Sequence, residues 1–372
     1  MNLDAVRSEL PVLEHVAYLN TGTFGPIPRR TSETMFELER RELEAGRLGK
    51  PYFDELRELR TAAREALGRL LAAPASSLAL TRSTSDGCNV AVASLGLCPG
   101  DEVVTTDVEH FGLLGPLHAS GARVHVVEVR DRPAAAALDA VADAIGPATR
   151  LVAISHVAWS TGQILPVAEL AAAAHAAGAV LLVDGAQSVG SIAVDIPATG
   201  ADFYTVSGQK WLLGPDGTGA LYVEPSLLDR VAVPFVSYYG QAGYEPDGTY
   251  VPSEGATRFD IGTIPAPALA GLVQSLAFAE EAGPDRFERA HVMAERCREL
   301  LDAGFDVVTE PGQATLVSFR VPGETSPIVE ALAARGVSVR DLPGTGWIRA
   351  SAGFWTVEEE LERLVDGLAA AV

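Results

Sequence analysis

The chain is 372 residues long, more than one domain usually spans, and its 28 Lys and Arg against 49 Asp and Glu give a formal charge of −21. Such a charge opposes nucleic acid and anionic lipid and reads as a solvated acidic surface. Three cysteines at unrelated spacings, Cys88, Cys98 and Cys297, suggest neither a disulfide framework nor a zinc site, and no metal is expected. The apolar runs are interrupted by charge, and Asp4, Arg7 and Glu9 lie within the first turns of the chain. We therefore expect no membrane association, no secretory signal and a cytoplasmic address.

Thr31–Gly46 and Asp54–Leu71 read as helices, and Leu78–Thr81 as a strand leading into a helix opened by Thr84-Ser85-Asp86-Gly87. From Glu102 onward, Val- and Ile-rich runs alternate with Ala- and Leu-rich segments. The strands predicted are Glu102–Thr105, Val124–Val129, Leu151–Ser155 and Val180–Asp184, with helices over Phe111–Ser120, Pro133–Ile145 and Val167–Ala177. That alternation is the pattern of a parallel sheet with crossover helices. Phe203–Ser207 and Gly219–Val223 add two strands around a Gly-Pro-Asp-Gly turn, while Tyr238–Gly255, rich in Gly, Tyr and Pro, reads as an active-site loop or lid.

Beyond it, helices over Pro267–Glu281 and Arg286–Ala303 lead into strands at Phe305–Val308 and Ala314–Val321. A helix at Ile328–Arg335, a strand at Val337–Arg340 and a last helix opened by a capping-box spelling at Thr356 and Glu359 complete the chain. The fold class expected is α/β, with a mainly parallel seven-stranded sheet in a large domain, residues 20–255. Residues 1–19 and 256–372 would form a smaller α+β domain.

Asp184 closes an apolar strand and places a carboxylate at the carboxyl edge of the sheet, where doubly wound folds bind ligands. Alone it reads equally as a turn former, a magnesium ligand or a cofactor partner. Gln187 follows it, and Lys210 stands ahead of a Gly-rich hairpin. A lysine amine that forms an imine with an aldehyde, and a carboxylate that keeps a pyridine nitrogen protonated, are what pyridoxal phosphate (PLP) requires. Thr84 and Ser85 offer hydroxyls and backbone N–H groups to a phosphate, or cap a helix in the ordinary way, and Ser207 adds a hydroxyl. Neither a GxGxxG after a strand nor a GxxxxGK[ST] segment occurs, which argues against a nucleotide-binding protein.

The segments SHVAWSTGQILPVAEL (Ser155–Leu170), LLVDGAQSVG (Leu181–Gly190) and DFYTVSGQKWLLGPDGTGALYV (Asp202–Val223) resemble the cysteine desulfurase branch of the class V aminotransferases, fold-type I PLP enzymes. YLNTGTFGPIP (Tyr18–Pro28), RFDIGT (Arg258–Thr263) and IRASAGFWTVEEELERL (Ile348–Leu364) extend the resemblance over nearly the whole chain. It implies that Lys210 carries PLP as a Schiff base, that Asp184 pairs with the pyridine nitrogen, that Gln187 contacts the ring hydroxyl and that His110 stacks on the ring and takes part in catalysis. Thr84, Ser85 and Ser207 would hold the phosphate, joined by Thr263 from the partner subunit of a homodimer. Arg349 would clamp the substrate carboxylate, with Asn20 and Trp159 facing the substrate. The structural alternatives are a helix-capping role for His110 and, for Arg349, an ion pair with the run Glu358–Glu360.

Desulfurases carry a nucleophilic cysteine on a loop ahead of the carboxylate-binding arginine, yet Gly336–Trp347 (GVSVRDLPGTGW) contains none. Gln209 precedes the lysine where desulfurases have histidine, and Trp159 lies near their asparagine. The resemblance is therefore to the cystine and cysteine carbon–sulfur lyases of the branch, which act on a sulfur-containing amino acid by β-elimination. A transaminase, an epimerase of the isopenicillin N type and a non-catalytic PLP-binding protein are the competing readings.

Overall fold

The computed structural model describes residues 1–372. A seven-stranded sheet runs in the spatial order Leu78–Thr81, Gly219–Val223, Phe203–Ser207, Val180–Asp184, Thr149–Ser155, Glu102–Thr106, Arg123–Val127. Every pairing is parallel except those of Gly219–Val223, which runs against both of its neighbours. The inner strands Val180–Asp184, Phe203–Ser207 and Gly219–Val223 are buried at every residue, because helices cover both faces. The fold class read from the sequence is thus the observed one. All the parallel strands end at one edge, which collects Thr106, Ser155, Asp184 and Ser207.

Several elements differ from expectation. The helix expected from Asp54 opens earlier, at Gly49, because Pro51 falls in the first turn, where its missing N–H costs nothing. Tyr238–Gly255 is an ordered hairpin of Gln241–Tyr244 with Tyr250–Pro252 rather than an irregular loop. The last helix begins at Glu358, and its cap is Val357, whose N–H donates to Glu360 at 3.0 Å. Glu359 plays no part in that cap, and Thr356 instead accepts from Gly353.

A second, antiparallel sheet has the order Asp306–Val307, Leu316–Arg320, Trp347–Ser351, Arg340–Leu342. The run expected as one strand over Val337–Arg340 is split between two pairings. Val337–Ser338 pairs with Ala17–Tyr18, and Arg340–Leu342 pairs with Trp347–Ser351, a strand that had not been foreseen. Ala17 and Leu19 are buried in the core of this second unit. The helix Ala266–Ala282, in contrast, buries Leu269, Leu272 and Leu276 in the core of the large sheet. We therefore place the domain boundary after that helix rather than at residue 256.

Candidate active site

The site forms where the carboxyl edge of the large sheet meets the second sheet. Asp184 is buried at the end of its strand. Its Oδ1 accepts from Ala186 N at 2.8 Å, and its Oδ2 receives no hydrogen bond from the protein. The turn after it is packed from below: Gly185 abuts the Tyr204 ring so closely that a Cβ would lie 2.2 Å from Cε1, and the Tyr204 hydroxyl is shared with Ser188 and His156. Gln187 is committed on both ends, donating to Gly22 O at 2.8 Å and accepting from Trp211 Nε1 at 2.9 Å. Those two bonds join the N-terminal segment, the Asp184 turn and the loop of Lys210.

Lys210 sits in that loop with its amine free of any hydrogen bond or ion pair. Burial first, then the neighbouring Arg349 and Arg340, push the amine down to about 8, against the opposing pull of Asp184. Gly25 fixes the loop from outside: its N–H donates to Gln209 O at 2.8 Å, and a Cβ there would lie 2.1 Å from Lys210 O.

The helix Thr84–Ser94 points its N-terminus at the same edge. Its cap is Ser83, which accepts from Asp86 N at 3.1 Å. Thr84 and Ser85 are therefore the first two helical residues rather than caps, and no protein group takes their N–H donors. Ser85 faces Gly112, where a Cβ would lie 2.5 Å from its Oγ. Ser207 is buried and donates to Gln209 at 2.8 Å, so a phosphate would compete with Gln209 for that hydroxyl. Two free helix N–H groups, a free lysine amine and a carboxylate with one unbonded oxygen match the donor and acceptor set of PLP.

His110 caps its own helix, with Nδ1 accepting from Gly112 N at 3.1 Å, and this places the proton of the neutral ring on Nε2. The residue as a whole is exposed, but its ring is packed on one side, where it meets Trp159 edge-on with centroids 5.4 Å apart. Burial and Lys210 lower its pKa, and Asp184, Arg340 and Arg349 are close enough to act on it as well. Thr263 is exposed in the segment before Ala266–Ala282 and takes no hydrogen bond within the chain.

Arg349 is 1% exposed and has no carboxylate partner. Its Nη1 donates to Trp159 O at 2.7 Å, its Nη2 reaches Thr23 Oγ1 at 3.5 Å and its Nε is unpaired. Burial, then Arg340, push the guanidinium down to about 9. The alternative of an ion pair with Glu358–Glu360 fails, because Glu358 bonds Arg296 and Glu360 bonds Arg7. Asn20 accepts from Thr23 Oγ1 at 2.7 Å, and that hydroxyl in turn accepts from Arg340 and Arg349.

Two residues had escaped sequence reasoning. Arg340 lies directly opposite Arg349 across the strand pair and donates to Thr23 at 3.2 Å, again with no carboxylate partner. Glu109, next to His110, is buried and bonded by Thr106 and Ser155; burial pushes its carboxyl up to about 7 despite those bonds. Its only sequence signal is its place at the strand end beside His110.

Within Gly336–Trp347 the chain turns tightly from Arg340–Leu342 into Trp347–Ser351, the turn closed by Thr345 bonded to Leu342 O and Trp347 N. Cys88 and Cys297 are buried, the latter pushed up to about 12 by burial, and exposed Cys98 is pushed up by its bond to Asp101. None of the thiols is set up as a thiolate.

A family model described as Aminotransferase class-V matches residues 28–364. The isopenicillin N epimerase of Streptomyces clavuligerus is 34% identical, over 95% of this chain and 94% of that one. A probable cysteine desulfurase of Methanothermobacter thermautotrophicus is 28% identical over 99% and 98%. Among solved structures, C-DES with glycine covalently linked to its PLP cofactor superposes with TM-score 0.92 at 28% identity, covering 98% of this chain and 99% of that one. The complex of the cystine C-S lyase C-DES with its product cysteine persulfide gives 0.90 at 28% identity, over 97% and 99%. The resemblance read from the motifs is borne out, and the chain belongs to the class V aminotransferase family.

Proposed function

We propose that this protein is a PLP-dependent carbon–sulfur lyase that cleaves L-cystine, L-cysteine or a cysteine S-conjugate by β-elimination. The observation that carries the proposal is the pair of unpaired arginines beside a free lysine amine, with no reactive thiol within reach. A buried guanidinium without a counter-charge is costly unless an anion completes it, and Arg349 is suited to a substrate carboxylate. Arg340, next to it, suits a second anionic group such as the distal carboxylate of cystine. Bound at Lys210, with its phosphate at Thr84 and Ser85 and its nitrogen at Asp184, PLP would supply the sink for the electron pair left at Cα.

The chain's own part is to orient and to move a proton. Arg349 holds the carboxylate, which fixes the Cα–H bond relative to Lys210. The substrate amine would take the place of Lys210 on the cofactor, and the lysine amine so freed, depressed towards neutrality, would accept the Cα proton. The Cβ–S bond then breaks with its electron pair leaving on sulfur as thiolate or persulfide, and water releases pyruvate and ammonia from the remaining three carbons. Glu109 and Ser155 brace the edge from which His110 faces the ring position. No step calls on an enzyme cysteine.

The exposed apolar side chains Phe36, Leu43, Leu48 and Phe53 lie on the helices Arg29–Ala45 and Gly49–Leu70 and the turn between them. They support a homodimer in which Thr263 serves the neighbouring site. A cytoplasmic location without nucleic-acid or membrane partners fits the acidic surface, and no helix is long and apolar enough to cross a membrane. Epimerisation at Cα is a second reading, favoured by the 34% identity to the Streptomyces enzyme. Incubation of the PLP-loaded protein with L-cystine in D2O tests both. Pyruvate release supports the lyase, whereas recovery of Cα-deuterated, racemised cystine without pyruvate replaces it with the epimerase.

A further inference from the structure

The segment Trp159–Gly162 leaves the large sheet beside His110 and gives four successive carbonyls to the second domain. Trp159 O accepts from Arg349 Nη1 at 2.7 Å, Ser160 O from Ser318 Oγ at 2.5 Å, Thr161 O from Thr309 Oγ1 at 2.7 Å and Gly162 O from Ala314 N at 3.0 Å. Gly162 completes the contact: its φ is +75°, and a Cβ would lie 2.4 Å from Leu316 O. A connecting segment usually runs free over the surface; this one is pinned at every residue.

The register explains why neighbouring carbonyls meet neighbouring side chains. Ser318 and Arg349 are directly opposed on adjacent antiparallel strands, so both project from one face of the second sheet. Thr309 is tied into the same row, since its Oγ1 accepts from Ser318 N at 2.8 Å while it donates to Thr161 O. Both hydroxyls are buried, at 0% and 5% exposure, and neither has another protein acceptor.

Nη1 on Trp159 O and Nη2 at 3.5 Å from Thr23 Oγ1 orient the guanidinium of Arg349, and the edge left for a carboxylate to bind side-on is the unpaired Nε with the second hydrogen of Nη2. The direction of that edge is set by where Trp159 O lies, which in turn is set by the two hydroxyls that hold the next carbonyls. We propose that Ser318 and Thr309 are positioning residues for substrate-carboxylate recognition. They hold Trp159–Gly162 as a strap that aims Arg349 and keeps the Trp159 ring against His110. The proposal rests on the reading that Arg349 binds the α-carboxylate and not on the carbon–sulfur chemistry.

The test needs no turnover. PLP-loaded protein is titrated with L-alanine and with ethylamine, which lacks the carboxylate, and binding is followed by the visible absorbance of the cofactor. In the wild type L-alanine binds more tightly. In Ser318→Ala and Thr309→Val we expect that preference to fall about tenfold, close to 1.4 kcal/mol, with ethylamine affinity unchanged, and Thr309→Ser to restore it. An unchanged preference in both variants, or equal weakening of both ligands, overturns the proposal. Arg349→Ala separates the two layers: if it leaves the preference intact, the underlying carboxylate reading fails instead. Amide exchange in the wild type covers the case of variants that do not fold. L-alanine, and not ethylamine, should slow exchange in 162–165, and equal effects of the two ligands would contradict the strap.

Discussion

Replacement of Arg349 by leucine should separate function from stability in opposite directions. The guanidinium is pushed from the ordinary arginine range down to about 9 by burial and then by Arg340, so the charged form is disfavoured by folding. For a base lowered in this way the penalty is fully present below about pH 9 and is relieved as pH rises above that value. At neutral pH a displacement of this size corresponds to about 5 kcal/mol, at about 1.4 kcal/mol per pH unit. Against that stand the loss of the bond to Trp159 O, about 2 kcal/mol for a charged donor, and about 1 kcal/mol of imperfect packing by the shorter side chain. The net expectation for Arg349→Leu is a gain of about 2 kcal/mol, a rise in Tm of a few degrees, together with a loss of about 100-fold in affinity for L-alanine. Heat unfolding of substrate-free, PLP-loaded protein at matched concentration, alongside the absorbance titration, measures both. A lower Tm with L-alanine affinity kept within about threefold, under 1 kcal/mol, would refute the reasoning.

Asp184→Asn keeps an oxygen for Ala186 N but removes the charge; turnover should fall by about 100-fold or more with the fold intact by circular dichroism. The rate at which PLP-free protein takes up the cofactor should rise through about pH 8 as the Lys210 amine loses its proton, and a rate independent of pH across that value would contradict its depressed basicity. Alkylation of the native protein should modify Cys98 alone and leave activity unchanged, as mass spectrometry of the treated enzyme would record. Gly162→Ala must fit a side chain at φ +75° against Leu316 O, so a loss of about 2 kcal/mol or more is expected in denaturant unfolding.

The placing of several candidate site residues was legible because they sit at the ends of strongly patterned strands. Leu181-Leu182-Val183-Asp184 announces both the strand and the carboxylate at its edge, and Lys210 follows a second buried strand in the same register. Arg340 was not legible, since what gives it a role is its cross-strand opposition to Arg349, and the strand Trp347–Ser351 that creates this opposition carries a charged residue in its middle. The hairpin at Gln241–Pro252 was hidden by its Gly, Tyr and Pro content, which spells an irregular loop. The capping box at Thr356 was misplaced because Thr356 turns back to bond Gly353, which hands the cap to Val357 and Glu360. Pairing of a segment with a distant partner leaves little local trace in composition.

The central claim is that the carbon–sulfur bond is broken by Lys210 and the cofactor without an enzyme thiol. Its most direct test is pyruvate release from L-cystine by PLP-loaded protein in which Cys88, Cys98 and Cys297 are all replaced by alanine, compared with the same protein carrying Lys210→Ala. The account predicts near wild-type release from the first and none from the second. Loss of release in the cysteine-free protein with cofactor binding intact, or release that survives Lys210→Ala, would contradict it.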